Sequence, residues 1–129
     1  METDTTKNLF IRRLAEAHRV ILLGGMAVIA HGRSRHTKDF DIWLEPFDTP
    51  ERWAGHLVSV LQQFPESYVW SLAQRRKLEH AQIAAEIDQF GVLRIDGFDL
   101  PVDIFRKPNE FTTEEFEQVW QESNAPSTR

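Results

Sequence analysis

The chain has 129 residues, 41% hydrophobic and 27% charged, a globular balance that excludes collagen-like, low-complexity and disordered classes. With no cysteine, disulfides, thiolate-bound zinc, iron–sulfur clusters and a cysteine nucleophile are excluded as well. Fifteen Lys and Arg against 20 Asp and Glu leave a net charge of −5, so bulk charge supplies no attraction to nucleic acid, and no apolar run approaches the ~20 residues of a membrane span. The expectation is one cytoplasmic domain over residues 1–129, with residues 1–6 and 123–129 loose.

Leu9, Phe10, Leu14 and Ala17 recur at helical spacing behind Thr5 or Thr6 as a cap, which predicts a helix over 7–17. Val20 to Leu23 is a short apolar run ending at Gly24-Gly25, as suits a strand buried on both faces. Met26 to His31 predicts a short helix stopped by Gly32. Residues 39–45 alternate strictly, placing Phe40, Ile42 and Leu44 on one face and Asp39, Asp41, Trp43 and Glu45 on the other.

Asp48 with Glu51 forms a capping box, Pro50 suits a first helical turn, and Trp53, Leu57, Leu61 and Phe64 form one stripe, predicting a helix over 50–63. An irregular stripe through Leu72, Leu78, Ala81, Ala85 and Ile87 favours helix over much of 72–88, with Arg75-Arg76-Lys77 on its exposed face. Residues 91–95 and 98–105 read as a hairpin closed by Asp96-Gly97 in a type I′ turn, with Pro101 near the start of the return strand. Thr112 and Glu115 offer a second capping box before a helix that buries Phe116, Val119 and Trp120. The sum is an α/β (α+β) chain with a short mixed sheet flanked by helices.

Chemistry concentrates in three places. The glycine pair Gly24-Gly25 allows a tight turn where backbone N–H groups approach a phosphate closely, though a plain strand-to-helix turn needs the same residues. Asp39 and Asp41 project from one strand face about 6.6 Å apart at the Cα atoms. Like charges this close invite a divalent cation, and Mg²⁺ is a hard ion that takes oxygen ligands and leaves positions for phosphate. A solvated pair is the plainer alternative.

Asp103, in Val-Asp-Ile-Phe, repeats the apolar-acid-apolar pattern on a later strand and would complete a three-carboxylate cluster if the strands pair. Its plain alternative is an exposed acid or a partner for Arg106. Arg35 and Lys38 lie close enough in sequence to face phosphates, whereas His31 and His36 match no zinc spacing. Trp53, Trp70 and Trp120 read as core residues; Trp43 stands apart, because alternation puts its indole on the carboxylate face where it could stack a base.

Leu23-Gly-Gly-x-Ala27, His31-Gly, Arg35-x-Thr-Lys-Asp-x-Asp-Ile-Trp43 and Val102-Asp-Ile104, in that order and spacing, resemble the polymerase-beta-like nucleotidyltransferase superfamily, most of all its small members of abortive-infection and toxin–antitoxin type. The resemblance spans residues 19–105. It implies the nucleotidyltransferase fold and Mg²⁺-dependent transfer of a nucleoside monophosphate from an NTP donor to a hydroxyl acceptor on a protein, tRNA or small molecule. Gly24 and Gly25 would hold phosphates with Arg35 and Lys38, Asp39 and Asp41 would bind the metal, and Asp103 would be the third carboxylate that helps activate the acceptor. Many members carry Gly-Ser where this chain has Gly24-Gly25. The helical substrate domain of larger relatives is missing, so the resemblance implies that acceptor recognition would fall to a partner such as a toxin or antitoxin. The rival implications are a non-catalytic antitoxin or regulatory module of the same fold, and a phosphohydrolase, whose Thr or Val after Asp-x-Asp is replaced by Trp43.

Overall fold

The computed structural model describes residues 5–23, 40–108 and 112–124. Helix α1 (Thr6–Ala15) is opened by Thr5, whose hydroxyl oxygen accepts the Asn8 N–H at 3.2 Å. Thr5 is thus the cap of this helix and Thr6 its first residue. Strand β1 (Val20–Leu22) follows, then β2 (Phe40–Leu44) and α2 (Pro50–Leu61). The expected helix over 26–31 lies outside the described residues.

Helix α2 has the predicted apolar stripe but a different cap. Thr49 is the N-cap and accepts the Arg52 N–H, with Pro50 at the first turn, while Asp48 takes a left-handed φ of 57° in the approach. A capping box based on Asp48 is thus corrected by one residue.

The middle of the chain departs most from expectation. Instead of a helix from 72, it forms β3 (Tyr68–Ser71), a tight turn with Arg75 at φ 58°, and β4 (Arg76–Leu78). Only then do a 3-10 turn over His80–Gln82 and helix α3 (Ile83–Phe90) appear. The physical reason is a buried polar tie. The Ser71 hydroxyl donates to the Glu86 carboxylate and accepts the Gln74 N–H, and the Gln74 side chain donates to the other Glu86 oxygen. Ser71 and Glu86 are both buried, so these bonds satisfy groups that would otherwise cost about 1–3 kcal/mol each to desolvate. Arg75-Arg76-Lys77 accordingly sits on a turn and an edge strand, not on a helix.

Strands β5 (Val92–Asp96) and β6 (Val102–Phe105) pair antiparallel as expected, but Ile95 faces Val102 and residues 97–101 form the connection. Gly97 has φ 100° and Asp96 stays at negative φ, so the type I′ turn is not formed. Pro101 immediately precedes β6, where its missing donor is harmless. The final helix, α4 (Glu115–Asn124), begins with the Glu115 carboxylate accepting the Thr112 N–H, half of the expected box.

The six strands form one mixed sheet in the order β1-β2-β6-β5-β3-β4, with β2 and β6 parallel and every other pair antiparallel. Alternation divides its faces. Ile42, Leu44, Ile104, Leu93, Ile95 and Val69 face α1, α2 and α3 and form the larger core with Phe10, Trp53, Leu57 and Ile83. On the opposite face, Ile21, Leu23 and Trp43 pack with Phe116 and Val119 of α4. Burying one Leu, Ile or Phe side chain contributes roughly 1.5–3 kcal/mol, so this second cluster is what anchors α4. No helix of the described residues is long and apolar enough to cross a membrane.

Candidate active site

Two of the three expected acids come together. Asp41 of β2 and Asp103 of β6 are direct partners in the parallel register and lie on the same face, the one on which α4 packs against Ile21, Leu23, Trp43 and Phe105. Both are buried, with 4% and 8% exposure. Position 41 belongs to a strand whose other face is core, so the fold fixes the direction of its carboxylate. Strand β6 does the same for Asp103, between buried Val102 and Ile104.

Arg94 is the residue that sequence reading missed. It faces Asp103 across β5–β6 and binds it with both arms of a fork, Nε to Oδ1 at 2.7 Å and Nη2 to Oδ2 at 3.2 Å. Such bidentate charge-assisted pairs are among the stronger polar contacts in proteins. The pairing of Asp103 with Arg106 is not formed. Arg106 is an odd number of residues from Asp103, so alternation sends it to the opposite face, where its Nη2 donates to the Asp48 carbonyl at 2.8 Å. Burial lowers the pKa of Arg106 against the raising influence of Asp88, Glu51 and Asp48.

Trp43 is on the carboxylate face as predicted but is not available to a base. It is fully buried, stands edge-on to Phe116 at 5.1 Å between centroids, and donates its indole N–H to the Arg106 carbonyl. Trp70 of β3 is only half-buried. It lies in the same cross-strand row, opposite Arg94 on one side and Lys77 on the other.

At the α4 edge of the site, Arg19 bridges Glu45 and Glu117, each at 2.8 Å, and lies over the rings of Phe116 and Trp120. Burial pushes the Glu45 carboxyl up, but hydrogen bonds from the Arg19 guanidinium and backbone N–H outweigh it and hold the net value below normal. Glu117 is lowered chiefly by the same guanidinium.

The donor chemistry of Asp41 and Asp103 suits a hard divalent ion, because adjacent strands about 4.8 Å apart bring two carboxylates within reach of one cation. Arg94 competes for the Asp103 oxygens. Among the described residues no three His, Asp or Glu side chains gather into a metal-sized group. The remaining expected members, Asp39, Gly24, Gly25, Arg35 and Lys38, together with His31 and His36, lie outside the described residues. Comparison with protein-family models, curated proteins and solved structures finds no match to this chain.

Proposed function

We propose that the chain is a Mg²⁺-dependent nucleotidyltransferase. The observation that carries this reading is the register of Asp41 against Asp103, two buried acids 62 residues apart in sequence that share one sheet face. Asp41 and Asp103, with Asp39, would hold the ion, which when bound neutralises charge on the triphosphate and lowers the pKa of an attacking hydroxyl. The acceptor oxygen forms a bond to the α-phosphorus as the bond from that phosphorus to the bridging oxygen breaks. Pyrophosphate leaves, and the hydroxyl proton passes to the Asp103 carboxylate. Gly24 and Gly25, with Arg35 and Lys38, would bind the donor phosphates.

The Arg94 fork favours a second reading, a non-catalytic antitoxin or regulatory module, because a carboxylate already neutralised by a guanidinium gains less from a cation. Incubation with each α-labelled NTP and Mg²⁺ in a lysate separates the two. Transfer that requires Mg²⁺ and disappears in Asp41→Asn supports the enzyme; absence of both transfer and calorimetric NTP binding supports the module.

A further inference from the structure

One row of side chains crosses five of the six strands. From Asp41 it runs through Asp103 and Arg94 to Trp70 and Lys77, each pair in direct register. Beyond the acids the row becomes aromatic and cationic. Trp70 is half-buried, Tyr68 is 37% exposed, and Lys77 holds its ammonium 4.8 Å from the Tyr68 ring centroid. Arg75 extends the positive charge into the adjoining turn and is exposed, whereas Arg76, in register with Ser71, lies on the other face. Asp96, the cross-strand neighbour of Tyr68, bounds the patch on its other side.

We infer that this row is a docking surface for single-stranded nucleic acid with a free 3′ end. Two aromatic faces beside Lys77 and the turn cation Arg75, in a chain whose net charge is −5, are a local concentration of the groups that bind unpaired bases and phosphates. Aromatics on an open sheet face stack splayed bases, and cations along the strand edge meet the backbone. Two strand steps, about 10 Å, separate Asp103 from Trp70. That is the length of about three stacked nucleotides at ~3.4 Å each, so a terminal hydroxyl at the acids leaves the preceding bases over Trp70 and Tyr68. The placement of the 3′ end rests on the nucleotidyltransferase reading; the binding surface itself does not.

The test is fluorescence anisotropy of the full chain with labelled eight-nucleotide single-stranded RNA and DNA at low salt, with a duplex of the same sequence as comparison. Single strands should bind more tightly than the duplex, and Tyr68→Ala and Lys77→Glu should each weaken them by about tenfold. Two phosphate contacts give a log–log salt slope of about −1.4. Preference for RNA, or equal binding of RNA and DNA, supports the surface and identifies the polymer. Duplex binding as tight as single-strand binding, absence of binding, or indifference to both substitutions overturns it. Loss of binding with label transfer to another acceptor intact would sink the surface alone, whereas retained binding with transfer unaffected by Asp41→Asn would sink the catalytic reading alone.

Discussion

Replacing Arg94 with Met keeps much of the side-chain volume and removes the charge that balances Asp103. The two acids then face each other from adjacent strands with carboxylates about 5 Å apart, and at an effective dielectric of about 20 the repulsion is about 3 kcal/mol. The Asp103 side chain is 12% exposed and that of Arg94 25%, so solvent screens part of this, and a loss of about 2 kcal/mol is expected at neutral pH. Urea denaturation at constant m-value measures it as a lower midpoint. Adding Asp103→Asn to Arg94→Met should restore most of the loss, because an amide opposite Asp41 carries no charge. The Arg94→Met protein should also gain more from Mg²⁺ in its melting temperature than the parent does. A single variant as stable as the parent, or a double variant no better than the single, would refute the electrostatic account of this site.

Other consequences can be checked independently. The His56 pKa is lowered mainly by burial and also by the nearby His18, against the raising effect of the Leu14 carbonyl that its Nε2 contacts at 3.3 Å. A depressed folded value means that its contribution to stability is present above the ordinary 6.5 and is lost as pH falls through the folded value. His56→Gln should therefore flatten the fall in melting temperature between about pH 7 and pH 5. At Gly97, with φ 100°, an added Cβ would lie 2.4 Å from the Glu66 carbonyl oxygen, so Gly97→Ala should cost about 3 kcal/mol in chemical denaturation. Gly55 lies inside α2 with nothing within 4 Å of its would-be Cβ, so Gly55→Ala should stabilise by about 0.5–1 kcal/mol in the same assay. Arg19→Lys keeps the charge but loses the fork to Glu45 and Glu117, so hydrogen exchange should accelerate in α4 and not in α2.

The outer elements were legible because their signals are local. Thr5 and Phe10 mark α1, the alternation of Phe40 to Leu44 marks β2, and Pro50 with Trp53 and Leu57 marks α2. The middle was not, since Leu78 and Ala81 mimic a helical stripe while the decisive contact, Ser71 to Glu86, spans 15 residues. Tyr68-Val-Trp, β-branched and aromatic, was the available strand signal.

Arg94 was hidden by the turn. A two-residue loop at Asp96-Gly97 would set Arg94 against Asp99, and the longer connection before β6 slides it to Asp103. The acids themselves were readable as a pattern, but their neighbourhood depends on β6 choosing β2 as a parallel partner. No periodicity within either strand encodes that choice.

That choice has a consequence for biosynthesis. Strand β6 is inserted between β2, made early, and β5, made just before it, and is the only described strand linking the β1–β2 pair to the rest of the sheet. A ribosome-bound chain that has emerged only as far as β5 carries Asp41 without its opposite number and Arg94 without its counter-ion. The pairing of these groups therefore arises in one late closure, when that strand slots home between its two neighbours.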